Sequence, residues 1–376
     1  MLQEGEGIFP LLRSIISTFQ TIVYLTERPE TAIDYRKRNI RMRKTISLLL
    51  IVLVAVSSVF AGGASETGYS STDKITLKFA LQNGQTHPLC QGVAKMAELI
   101  SEKSDGRITV ELFYSGALGD KASTVQGMQT GTIDGAMLMG GVIADYGATE
   151  LKVFTLPYLF ESVEQARAFE KSEYGQAVFE TVQSSGSRLV CIGAYQESAR
   201  NFFFTKKAVK SPSDLKDMMI RCQEGSVYYD TMEAMGANVQ SVAFSELYSA
   251  LQSGVVDGAE QPLSGFVSNA FNEICKYYTL DQHELSPNLI LFSEVTWNKL
   301  SDSDKALIRE AFNESVSYFE EISDAKDEEY LETMKNSGVE VITVDAKEWQ
   351  DACQSVYDKY GEQYAEIISR IKSFEY

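Results

Sequence analysis

The sequence is poor in histidine. Only two occur in 376 residues, His87 and His283. That excludes multi-histidine metal centres and leaves little for Ser/His catalysis. The five cysteines, Cys90, Cys191, Cys222, Cys275 and Cys353, are widely spaced and contain no CxxC, so zinc-ribbon and thioredoxin-type chemistry have no support. They are expected to act as small core hydrophobes, with one disulfide open to an oxidising compartment. No GxGxxG, GxSxG or HExxH run occurs, nor GxxxxGK followed by Ser or Thr. No cofactor or metal is expected. Positive charge is scarce as well. Lys and Arg number 34 against 52 Asp and Glu, a net charge of −18, which argues against nucleic acid as a partner. The apolar run Ile46–Ala61 has no charge but only 16 residues, short of the about 20 that span a bilayer.

What is present begins with an export signal. Arg36, Lys37, Arg38, Arg41, Arg43 and Lys44 precede that apolar run, which ends Val59-Phe60-Ala61. This is the order of a secretory signal peptide, expected over residues 42–61. Residues 1–41 are expected to be an extension of the reading frame ahead of a natural start at Met42. An uncleaved anchor is the alternative. Residues 1–61 hold eight of the basic and five of the acidic residues, so the mature part carries −21. The length suggests roughly two domains of about 100–200 residues.

Residues 62–73 read as a Gly/Ser/Thr-rich linker. Ile75, Leu77, Phe79 and Leu81 then alternate as a strand, Asn83-Gly84 marks a turn, and Pro88 opens a helix. Ile108, Val110 and Leu112 form a second strand, which makes a βαβ unit with parallel strands. Gln126–Thr130 and Ile133–Met139 read as helix and strand, and Leu189–Tyr195 as a further strand. A second block from about Arg200 repeats the alternation: a turn at 211–214, an apolar segment at Met218–Cys222, helices at Tyr228–Met235 and Phe244–Gln252, and a strand from Val255. Two similar lobes follow. Ser301 is a good N-cap, and no proline or glycine interrupts 302–335. A helix of that length is on the order of 50 Å and can lie across both lobes. Two helices kinked near Asp324–Asp327 are the alternative.

Arg200 precedes Asn201-Phe202-Phe203-Phe204, and Arg221 sits between Met218-Met219-Ile220 and Cys222. A guanidinium drawn into apolar sequence needs a counter-charge. That charge can be internal, from Asp257 or Glu260, or a ligand carboxylate matched bidentately by the planar fork.

Six segments, in order, resemble the solute-binding proteins of TRAP transporters, which capture organic acids for sodium-driven uptake. They are Gly116-Ala117-Leu118-Gly119 with Gly131-Thr132-Ile133-Asp134; Phe154-Thr155-Leu156-Pro157-Tyr158-Leu159-Phe160; Arg200 with Phe202 and Phe203; Ser211-Pro212-Ser213-Asp214-Leu215-Lys216 running on to Ile220-Arg221; and the block from Phe244 to Glu260. The resemblance covers about Ile75 to Met334. It implies an α/β, two-lobed periplasmic binding protein of type II-like architecture, each lobe a mixed sheet flanked by helices, with a long helix spanning both. The lobes are expected at 74–197 plus 287–320 and at 198–286 plus 321–376. It further implies a non-enzymatic, monomeric periplasmic receptor that closes on a four-carbon dicarboxylate or sugar acid and delivers it to small and large membrane permease subunits. Arg221 would pair with the ligand carboxylate and Arg200 would support the anion site. Gln261 stands where the family usually has an asparagine that hydrogen-bonds the ligand, and Phe244 matches an aromatic near it. Glu260, Gln82 and Asn83 complete the expected site, although Gln82 and Asn83 read equally well as turn residues. Asp217 and Met219 depart from the family's usual glycine and lysine, and Gln261 reaches one methylene further than asparagine. A periplasmic enzyme using buried carboxylates, or a sensor or adhesin on the same fold, are the competing readings.

Overall fold

A computed structural model describes residues 68–223 and 225–376. The signal-peptide and start-site expectations, and residues 62–67 of the linker, lie outside the described residues. None of the described helices is long and apolar enough to cross a membrane.

Eleven strands among the described residues form two mixed sheets. The first contains β1 (Ile75–Ala80), β2 (Ile108–Phe113), β3 (Gly135–Met139), β4 (Leu189–Tyr195) and β10 (Asn288–Ser293), in the order β2-β1-β3-β10-β4. The second contains β5 (Arg200–Phe204), β6 (Met219–Cys222), β7 (Asn238–Ser241), β8 (Gly258–Gln261), β9 (Tyr277–Glu284) and β11 (Glu340–Thr343), in the order β11-β9-β5-β8-β6-β7. In the first sheet β1 runs parallel to β2 and β3, as the βαβ reading predicts. The chain passes between sheets from β4 to β5 and again from β9 to β10. Each strand that arrives from the other sheet, β5 or β10, runs antiparallel to its neighbours. Four-residue and three-residue links leave no length for a crossover helix, so the entering strand comes in reversed.

Both sheets use one local device to start an inner strand. The helix Lys121–Thr130 ends at Gly131, whose φ of 76° is left-handed; the helix Leu247–Ser253 ends at Gly254, φ 77°. Three residues later an aspartate accepts a backbone N–H from the neighbouring segment: Lys78 N to Asp134 Oδ2 at 2.8 Å, and Met219 N to Asp257 Oδ2 at 2.9 Å. These strands therefore begin at Gly135 and Gly258, two and three residues later than apolar content alone suggests. Asp257 is thereby committed to the backbone and is no partner for either arginine.

The strand Arg200–Phe204 is buried on both faces, and its alternation separates two cores. Phe203 packs with Phe266, Phe271 and Tyr278, while Phe202 and Phe204 pack with Trp349 and Ile220. The first sheet is likewise covered on both faces, by the helix Pro88–Lys103 on one side and by a Phe154–Phe160–Phe169–Phe179 cluster on the other. Proline stands at the first position of that helix and His87 caps it, its side chain accepting from Leu89 N.

The long helix is continuous over Asp302–Asn336, 35 residues, without a break at Asp324–Asp327. Ser301 caps it by accepting from Asp304 N at 3.1 Å. Ile308, Ala311, Phe312 and Phe319 enter the first sheet's core, and Tyr330 and Met334 enter the second's. Between them Arg167 holds Asp324 through two bonds of 3.0 and 2.8 Å. One helix thus serves both cores. The expected lobe boundary is corrected at the C-terminus. Val356, Tyr364, Ile368 and Ile371, from the helices Gln354–Tyr360 and Ala365–Lys372, pack into the first sheet's Phe154 cluster and not with the second sheet. The apolar stripe of the last helix required burial, and the neighbouring core supplied it. All five cysteines are buried and free.

Candidate functional site

A cavity of about 60 Å³ lies where the segments crossing between the sheets meet. Gln82, Asn83, His87, Lys121 and Met137–Met139 line it from the first sheet's side, Arg200, Arg221, Gln223, Phe244 and Gln261 from the second's, and Glu197 and Asn288 from the two crossings. It adjoins a wider space of about 490 Å³ that shares Gln82, Lys121 and Phe244 and adds Tyr248, Asn269 and Phe271. Six of the seven sequence-predicted residues therefore converge on one cavity.

Glu260 is the exception. It is 1% exposed and lies behind the wall. Arg200 Nε donates to its carboxylate, Arg200 Nη2 donates to its carbonyl at 3.1 Å, and Arg221 Nη1 approaches Oε1 at 3.7 Å. Glu260 is thus the internal counter-charge, and its expected role as a ligand contact is corrected. Burial is the largest single influence and opposes its ionisation, but the Arg200 charge and hydrogen bond, with His283 and Arg221, together outweigh it and hold the carboxyl below its usual range. Arg221, 2% exposed, is oriented by Nε donating to Val242 O at 3.0 Å. Strand β6 carries it, and the 3₁₀ turn Pro212–Leu215 with its Ser211/Asp214 capping box sets the entry to that strand.

A second buried layer supports the arginines. His283 Nδ1 and Asp281 Oδ2 are 2.7 Å apart, and Asp281 Oδ1 accepts from Phe202 N at 3.0 Å. Burial lowers the His283 pKa, yet Asp281 and then Glu260 more than offset it, so the ring stays protonated above the usual range. Glu284, 4.0 Å from Arg200 Nε, is pushed up to about 7 by burial. Two guanidiniums therefore face the cavity beside one firmly ionised carboxylate, and their planar N–H forks can donate to an anion. Glu260, His283 and Glu284 have the composition of a metal-ligand trio. Their carboxylates already face Arg200, whose charge would repel a cation.

Gln82 and Asn83 line the cavity and also tie its wall to the segment Ser115–Thr124. Asn83 O accepts from Ser115 N at 2.9 Å, and Gln82 Nε2 donates to Gly119 O and Thr124 Oγ1, each at 3.3 Å. Gln261 is held through its carbonyl, which accepts from Tyr278 OH at 2.9 Å. Phe244 meets Phe271 edge-on at 6.4 Å. Sequence reasoning missed His87, Lys121, Glu197, Gln223 and Asn288. Glu197 and Asn288 have a faint signal, because each stands at a junction between the two α/β blocks.

Two mixed sheets joined by crossing strands and one shared helix, with a cationic cavity at the junction, define a two-lobed solute-binding receptor. The chain belongs to the bacterial extracellular solute-binding protein family 7, the DctP family, whose model matches residues 79–363. It is similar to a TRAP periplasmic solute-binding protein of Pseudomonas putida F1 solved with bound D-glucuronate: 31% identity, TM-score 0.78, covering 80% of this chain and 98% of that one. A TRAP solute-binding protein of Sulfurospirillum deleyianum solved with succinate shares 25% identity at a TM-score of 0.75, covering 81% and 100%. The C4-dicarboxylate-binding periplasmic protein DctP of Rhodobacter capsulatus is 26% identical over 80% of this chain and 91% of its own. The family and these relatives are solute-binding receptors, not enzymes.

Proposed function

We propose that this protein is the periplasmic receptor of a TRAP transporter that binds an organic acid, a four-carbon dicarboxylate or a sugar acid, and hands it to small and large membrane permease subunits. One observation carries the reading: Arg221 is buried in the cavity wall, oriented by Val242 O, and shares its internal counter-charge with Arg200. A ligand carboxylate entering the cavity can accept from the guanidinium fork. Arg200, pinned to Glu260, raises the local potential without needing to touch the ligand. Gln261, Gln82, Asn83 and Phe244 orient the body of the acid. The net charge of the whole chain repels anions at long range, so capture depends on these short-range contacts and on exclusion of water when the lobes close. Micromolar binding requires about −8 kcal/mol, within reach of one buried ion pair and several amide bonds. The segment 42–61 directs export.

The test is a thermal-shift screen of the purified protein against dicarboxylates, aldonates and uronates. At least one acid raises Tm by several degrees, while the corresponding neutral sugars do not. No stabilisation by any acid would sink the receptor reading.

A further inference from the structure

We propose that Glu197 makes this cavity selective for acids with a single carboxylate and a hydroxylated body, and turns away acids that carry a second carboxylate. The inference rests on the receptor reading above.

Glu197 closes the cavity at the crossing between β4 and β5, three residues before Arg200, and is 7% exposed. The side chains that donate hydrogen bonds to it are neutral. Ser264 Oγ donates to Oε1 at 2.5 Å, and Asn288 Nδ2 to Oε2 at 3.5 Å. His87 Nε2 lies 3.7 Å from Oε1. The cap fixes the His87 tautomer: Nδ1 accepts from Leu89 N, so the proton sits on Nε2 and the ring is neutral. No lysine or arginine among the described residues makes an ion pair with Glu197. A carboxylate with two oxygens and about four acceptor sites therefore keeps capacity on its cavity side. Ligand hydroxyls can fill it. A second carboxylate cannot, because it brings no proton and meets like charge in a partly desolvated wall.

Two carboxylates can coexist there only if one takes up a proton. Burial pushes Glu197 up to about 7, so that proton is available in mildly acidic solution and is lost above neutrality. The charged and titratable groups facing Glu197 are His87 from the cap and Cys90 from the first turn of the helix Pro88–Lys103, Arg200 from β5, and Asp327 and Tyr330 from the long helix. Asp327 titrates in the same range and must be separated from it. Lys121 Nζ, donating to Gln223 Oε1 at 3.4 Å across the cavity, is the competing partner for a second carboxylate.

D-Gluconate and D-glucarate form a matched pair, differing only in a hydroxyl or a carboxylate at the sixth carbon. Calorimetric titration of the full chain from pH 6 to 9 should show gluconate binding more tightly. The preference over glucarate should widen by up to about tenfold per pH unit above 7. Glu197→Gln should flatten that slope and cut the preference at pH 8 by about tenfold or more, whereas Asp327→Asn should leave the slope in place. Glucarate binding as tightly as gluconate in the wild type overturns the proposal. So does a slope that survives Glu197→Gln or vanishes with Asp327→Asn. If acids bind and Arg221→Met abolishes that binding while selectivity ignores Glu197, only this inference fails. If no acid binds at any pH, the receptor reading fails with it.

Discussion

Arg200 and Arg221 both approach Glu260, but replacing each with methionine should have different consequences, the one falling mainly on the fold and the other on binding. Arg221→Met removes the bond to Val242 O and a 3.7 Å approach to Glu260, while Glu260 keeps its closer partner Arg200. The fold should lose about 1–3 kcal/mol, a Tm drop of a few degrees. Binding should lose the pair with the ligand carboxylate. Truncating one side of such a buried pair costs about 2–5 kcal/mol, so affinity should fall roughly thirty-fold to several-thousand-fold. Arg200→Met strips Glu260 of its main counter-charge at 1% exposure, and an uncompensated buried carboxylate costs about 3–5 kcal/mol of folding stability. Its Tm should drop further than that of Arg221→Met. Adding Glu260→Gln should recover part of the loss, because the neutral amide needs no counter-charge. The assay is calorimetry of ligand binding beside thermal unfolding for the three variants. Arg221→Met binding within threefold of wild type would refute the reasoning, as would a larger Tm loss for Arg221→Met than for Arg200→Met.

Stability should depend on pH with a maximum below neutrality. Glu197, Glu284 and Asp327 are each raised by burial to about 7, so the folded state holds protons that the unfolded chain releases near its ordinary carboxyl range. Their contribution is present at low pH and is lost as pH rises through 7, so the ligand-free Tm should fall from pH 5.5 to pH 8. Glu260 acts in the opposite sense, since its lowered value makes its contribution disappear only as pH drops below the usual carboxyl range. Phe319→Ala should cost about 3–5 kcal/mol and lower the unfolding midpoint in denaturant, because the ring packs against Gly92 and Tyr195 where the long helix meets the first core. The cysteines should resist thiol reagents in the native state, as burial pushes Cys90, Cys191, Cys275 and Cys353 up to about 12 and Cys222 up to about 11. Five thiols should titrate only after denaturation, and a reductant should leave Tm unchanged.

Local rules carried much of the fold. Ser301 and the uninterrupted stripe that follows marked the long helix, since capping and 3.6-residue periodicity are properties of neighbouring residues. Pro88 and Asn83-Gly84 marked the first helix and its turn for the same reason. Arg200 and Arg221 were visible because a charge inside an apolar run demands a partner wherever the chain folds. The identity of that partner was not visible: Asp257 and Glu260 stood equal in sequence, and sheet geometry gave one to the backbone and the other to the guanidiniums.

The sequence by itself determined the α/β alternation, the helix that serves both cores, and two arginines that had to be neutralised. Only the tertiary structure decided which residues share the cavity. His87, Glu197 and Asn288 lie about 100 to 200 residues apart, and what joins them is the pairing of strands that cross between sheets. It also decided that the last two helices rest on the first lobe. An amphipathic stripe states that a face must be buried, and apolar burial has no direction that could name the surface burying it.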